Sequence, residues 1–123
     1  MTTTTDTTTA GAQINAAGAL LALFTAHRDL PAPRIISERV VTDERDASGT
    51  LVLTWGLTLG FHRDAALADF EQWRQALDLD TADVDLSTTG AFAWLSVTTT
   101  YVGTPLTLVG YFDLPKSATD AER

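Results

Sequence analysis

His27 and His62 are the chain's two histidines, and no other side chain here titrates near neutrality without help. They are therefore the first candidates for proton transfer or metal binding. Neither has a ligand partner at metal-site spacing in the sequence. His27 falls in the last turn of a predicted helix, where a cation complements the helix dipole, and His62 falls in the loop before a second helix. The densest run of carboxylates, Asp78, Asp80, Asp83 and Asp85, lacks the central Gly and terminal Glu of the twelve-residue calcium loop and reads as a solvated negative surface. A hydrolytic carboxylate pair needs one member desolvated so that its pKa rises. The Asp and Glu residues here fall in predicted loops or on polar helix faces. Ser37, Ser48, Ser87 and Ser96 stand outside any Gly-x-Ser-x-Gly elbow. Gly56, Gly60, Gly103 and Gly110 punctuate strands and turns rather than forming a phosphate loop. The absence of Cys removes thiolate catalysis, disulfides and zinc–thiolate sites together. The expectation is a chain that is not an enzyme and uses no metal or cofactor.

A different chemistry is written in the segment 91–114, two runs of β-forming residues joined at Gly103-Thr104. With those two as the central turn residues, Val102 faces Pro105 and Tyr101 faces Leu106, and the register follows down the hairpin. One face then collects Ala93, Leu95, Val97, Thr99 and Tyr101 with Leu106, Leu108, Gly110, Phe112 and Leu114, which is the core side. The other collects Phe92, Trp94, Ser96, Thr98, Thr107, Val109, Tyr111 and Asp113. Here Phe92, Trp94, Val109 and Tyr111 interrupt a surface otherwise covered by Thr and Ser, with Trp94 and Tyr111 diagonal neighbours across the pair. Aromatic rings supply contact area at low entropic cost and carry a polar handle, as interface anchors do. These four residues are the candidate protein-binding site, and a twofold sheet-face homodimer is the simplest occupant.

Several elements must position that face. A disordered Thr-rich arm is expected over residues 1–11 and a polar tail over 115–123, flanking one domain over 12–114. From Ala12 to His27, Ile14, Ala17, Leu21 and Phe24 recur at helical spacing, with Leu20 and Leu23 widening the stripe. Pro31 and Pro33 then turn the chain into extended geometry. Ile35–Thr42 and Thr50–Leu59 read as an antiparallel hairpin around the charged loop 43–49. A second helix is expected over Asp64–Leu77, with Asp64 as N-cap. Leu67, Phe70 and Leu77 would form its stripe, with Trp73 partly buried at the edge. Val84 and Leu86 alternate with Asp83 and Asp85 as a short edge strand. The order helix, hairpin, helix, hairpin predicts a two-layer α+β domain: one antiparallel sheet of about four strands, with both helices on its Leu-rich face.

Eight basic against sixteen acidic residues, net charge −8, work against binding a phosphate backbone and favour basic partners. Residues 1–9 lack the charged start and apolar run of a secretory signal, and no segment approaches the ~20 apolar residues that span a bilayer. A cytoplasmic protein that touches neither nucleic acid nor membrane is expected.

The phrases Ala26-His27-Arg28-Asp29-Leu30-Pro31-Ala32-Pro33, Phe70-Glu71-Gln72-Trp73-Arg74-Gln75-Ala76-Leu77 and Tyr101-Val102-Gly103-Thr104-Pro105-Leu106 resemble small uncharacterised proteins of Streptomyces and related actinobacteria, over most of residues 13–114. That resemblance implies an actinobacterial source, or one of its phages or mobile elements, and brings no site residues with it. The resulting expectation is an acidic accessory or regulatory protein that binds another protein and self-associates. The alternatives are a structural component of a phage tail or neck, and an inhibitor of a basic DNA-binding protein.

Overall fold

The computed structural model describes residues 8–62 and 64–113. Thr9 accepts a hydrogen bond from the Ala12 amide and starts a 3-10 turn, Ala10–Gln13, that runs into helix α1, Ile14–Ala26. Strands β1, Arg34–Arg45, and β2, Leu51–Phe61, form an antiparallel hairpin. Its turn is built on Asp46, whose carboxylate accepts from the Ser48 hydroxyl at 2.5 Å and from the Ser48 and Thr50 amides at 2.9 and 3.1 Å. Helix α2, Ala66–Ala76, a 3-10 turn at Thr81–Asp83, and strands β3, Asp85–Thr89, β4, Phe92–Tyr101, and β5, Thr104–Asp113, complete the order.

The class is α+β as expected, but the sheet is mixed rather than antiparallel and has five strands among the described residues, in the order β1-β2-β5-β4-β3. The cause is the short strand β3. Once α2 has returned the chain, three strands follow, each antiparallel to the one before, so β5 points the same way as β2 and pairs with it in parallel from Leu57↔Leu106 to Phe61↔Gly110. On the central strand β5, Leu106 and Leu108 are buried on the helix side and Val109, at 8% exposure, on the other.

The last hairpin turns one residue earlier than expected. Tyr101 faces Thr104, leaving Val102 and Gly103 as the central residues, both at positive φ, 49° and 74°. Two left-handed residues in a two-residue loop match the strand twist. Moving the turn by one slides the pairing by two, so side chains keep their faces, and Trp94 lies directly opposite Tyr111 rather than diagonally.

Both helices cover one face. Ala16, Ala19 and Leu23 of α1 and Ala66, Phe70 and Trp73 of α2 close over Leu57, Leu59, Phe61, Val97, Leu106 and Leu108. The α1 stripe is rotated from the expected one: Ile14 and Leu21 are 68% and 70% exposed, and Ala17 is exposed as well. A helix apolar nearly all round leaves its rotation to packing, and here the small Ala16 and Ala19 seat the backbone close to the sheet. On α2, Ala65 rather than Asp64 occupies the cap position, without a side-chain hydrogen bond, because the helix begins where Ala66 docks into the core. Leu67 faces outward. Trp73 is 1% exposed, not partly buried, and its indole N–H donates to the Pro31 carbonyl at 2.8 Å. Gly110 lets α2 come this near, since a Cβ there would stand 3.0 Å from Phe70 Cβ.

Of the arm expected over 1–11, residues 8–11 are described and Ala10 and Gly11 lie in the 3-10 turn. The rest of that arm, Leu114 and the tail lie outside the described residues. No helix among the described residues is long and apolar enough to cross a membrane.

Candidate functional site

Phe92, Trp94 and Tyr111 project from the sheet face opposite the helices because even positions of β4 and odd positions of β5 share it. Tyr111 on β5 and Trp94 on β4 are cross-strand partners with ring centroids 6.1 Å apart, and Phe92 continues the row 6.0 Å from Trp94. His62 extends the row at its other end. It follows β2 at the even spacing of Thr58 and Gly60, and its ring folds back over Gly60, where a Cβ would meet the imidazole at 3.0 Å. That vacancy lets the imidazole lie flat on Tyr111, 4.3 Å between centroids and 16° from parallel. The result is a continuous row, His62–Tyr111–Trp94–Phe92, across the end of β2, β5 and β4.

Exposure grades along this row. Phe92 is exposed, Trp94 and Tyr111 are half-buried, and Val109 is buried at 8% exposure. Val109 sits in the ladder between Gly60 and Ser96 on the central strand, so it forms the floor of the face rather than a projecting anchor. Beside it the hydroxyls of Thr98 and Thr107 hydrogen-bond to each other at 3.0 Å. The row borders an open cleft of about 620 Å³, lined by His62, Asp64, Leu67, Phe92, Tyr111 and Asp113 among others. Two exposed carboxylates thus stand beside the aromatic surface.

The remaining candidates separate. His27 packs its ring edge on Trp73, 5.8 Å away, on the helix side, so the two histidines lie on opposite sides of the sheet. Among the described residues there is no group of three or more His, Asp or Glu placed to hold a metal ion. The acidic stretch after α2 has local structural roles: Asp78 takes the left-handed conformation that ends the helix, and Asp80 accepts from the Ala82 amide. Glu71 is hydrogen-bonded by Arg74, which holds its carboxyl below the usual glutamate range and raises the guanidinium. Arg74 also donates to the Leu79 carbonyl, so the pair ties the end of α2 to the chain that follows.

His62 is the member of the row that sequence reasoning missed, because it lies one residue beyond the strand. The signal was there in the even positions of β2, which continue through a side-chain-free Gly60 to the imidazole. No family model matches the chain, nor does any curated protein or solved structure.

Proposed function

We propose that this chain is a non-enzymatic accessory or regulatory protein that works by binding another protein through the uncovered face of its sheet. The observation that carries the reading is the row His62–Tyr111–Trp94–Phe92, four rings in sequence on a face that neither helix covers. Rings already packed against one another lose little rotamer freedom when a partner docks, so their area is available for affinity. Asp64 and Asp113 beside the row, within a chain of net charge −8, favour a partner that places basic side chains there. An actinobacterial or mobile-element origin, as the sequence resemblance implies, and separately a cytoplasmic location belong to the same proposal.

The test compares recovery of binding partners by the wild type, Trp94→Ala and Tyr111→Ala, each at low and high salt. Both half-buried positions tolerate truncation without opening the helix-side core, so folding is checked by circular dichroism. Loss of recovery with both variants is the expected result. Equal recovery by all three would refute the aromatic face, and binding that vanished only with added salt would move the site to the carboxylates.

A further inference from the structure

β1 is one edge of the sheet, and beyond it no strand pairs with its outward backbone groups among the described residues. Natural edges are blunted by shortness, by Pro or Lys, or by charges that point inward. The opposite edge, β3, is five residues long. β1 runs for twelve residues, six of them charged, and its pairing with β2 is irregular between Val41 and Arg45; from Arg34 to Val41 it pairs regularly and carries no Pro or Lys. Ile35, Ile36 and Val41 on it are exposed, Val41 at 60%. The regular stretch from Ile35 to Val41, with four apolar residues among seven, is a template for another strand.

We infer that this edge pairs with the same edge of a second copy, antiparallel about a twofold axis perpendicular to the sheet, joining two five-stranded sheets into one. The sequence of β1 selects both the occupant and the register. Opposed residues in an antiparallel pair share a face, so in a twofold pairing even positions meet even and odd meet odd. Centred on Glu38, the pairing sets Ile35 against Val41 and Ile36 against Val40 of the second copy, each twice, and Ser37 against Arg39. Centred on Ser37, it would set Ile36 against Glu38 and Ile35 against Arg39; centred on Arg39, two guanidinium groups would meet. The Glu38 register matches all four apolar residues to apolar residues. Its one cost is Glu38 facing its own copy across the axis.

A twofold axis perpendicular to the sheet keeps both copies of α1 on one side of the joined sheet, and α1 begins near this edge, since Gln13 lines a cleft with Arg39 and Trp55. The dimer edge and the aromatic face are different surfaces, so a dimer built here presents the row His62–Tyr111–Trp94–Phe92 twice.

The chain has no Cys, so a single introduced thiol reports only on its own copy. Light scattering of the full chain should give twice 13.2 kDa at micromolar concentration. Under oxidised glutathione, Glu38→Cys should form a covalent dimer at least about tenfold faster than Ser37→Cys or Arg39→Cys, because position 38 alone meets itself at disulfide distance. Val41→Glu, at an exposed site that leaves the fold intact by circular dichroism, should weaken the dimer at least about tenfold. Glu38→Gln should tighten it roughly two- to fivefold by removing the like-charge pair. A monomer at all concentrations would overturn the inference. So would a dimer that Val41→Glu leaves intact while Trp94→Ala dissolves it, which would place self-association on the outer face. A chain that becomes dimeric only after residues 2–7 are deleted would also overturn it, since the Thr-rich start would then occupy the edge within one chain.

Discussion

Replacing Trp73 by Phe tests how the layer of helices is fastened to the chain that crosses between them and the sheet. Trp73 is the largest side chain in the core, 1% exposed, and its indole N–H reaches 42 residues back along the sequence to the Pro31 carbonyl at 2.8 Å. Phe24 and His27 of the first helical segment pack against the same ring at 5.9 and 5.8 Å. Phenylalanine keeps an aromatic contact there but cannot donate. The lost hydrogen bond costs about 1 kcal/mol net, more if the half-buried carbonyl is left dry. The volume that the smaller ring fails to fill adds about 1 kcal/mol. A loss of about 2 kcal/mol is a substantial fraction of the ~5–15 kcal/mol that keeps a domain folded. With a urea slope of ~1–3 kcal/mol/M, the unfolding midpoint should fall by roughly 1 M. The assay is urea unfolding followed by far-ultraviolet circular dichroism at one fixed chain concentration, because association would also shift the midpoint. Trp94→Phe is the control. Trp94 is half-buried on the outer face, and Phe preserves its ring contacts, so its midpoint should move by less than ~0.5 kcal/mol equivalent. A Trp73→Phe protein as stable as the wild type, or a Trp94→Phe protein equally damaged, would refute the assignment of Trp73 as the tie between α2 and the Pro31 segment.

Val102→Asn should stabilise the protein by about 1 kcal/mol, read as a melting temperature higher by roughly 4 °C, because a β-branched residue is held at φ 49° in an exposed turn where Asn-Gly is preferred. An unchanged melting temperature would show that the turn carries no such strain. Asp46 is held below the usual aspartate range, first by the Ser48 hydroxyl and then by the Thr50 amide. A depressed folded pKa means that its contribution is present above the unfolded value of about 3.9 and is lost as pH falls through the lower folded value. Carbon-detected NMR should therefore place the Asp46 midpoint below about 3.9, and Asp46→Asn should remove that part of the acid dependence of stability; a midpoint at or above 3.9 would refute the turn chemistry.

What could be read from the sequence depended on whether one residue's neighbours left a choice. The face assignment of β4 and β5 followed from strict alternation and survived an error in the turn, because moving the loop by one residue slides the register by two and leaves every side chain on its side. The rotation of α1 had no such protection. Ile14, Ala17, Leu21 and Phe24 make as good a stripe as Ala16, Ala19 and Leu23, and only the contacts with Leu57, Leu59 and Leu106 decide between them. The parallel pairing of β2 with β5 was not drawn from the sequence, although an edge strand was expected around Val84 and Leu86, where β3 forms. It rests on whether the five residues of β3 count as a strand, and that parity sets the direction of everything after them.

The same distinction runs through the candidate site. Phe92, Trp94 and Tyr111 were legible because their types break a Thr- and Ser-covered face, whereas the burial of Val109 depends on its strand being central, a property of strand order. His62 continues the even positions of β2 one residue past the strand end, and it joins the row because Gly60 leaves room for its ring, a relation that alternation points to but strand boundaries hide. The apolar flank of α1 makes the converse point. Leu20, Leu23 and Phe24 of the expected stripe pack in the core while Ile14, Ala17 and Leu21 stand outside it, so helical spacing alone did not separate covered from uncovered apolar positions. Alternation and periodicity record that a face is buried, and leave open whether the cover comes from the same polypeptide. Among the exposed apolar positions, Ile35, Ile36 and Val41 lie together on the edge strand β1, where a second copy paired through that edge would cover them, whereas Ile14 and Leu21 stand on the outer side of α1.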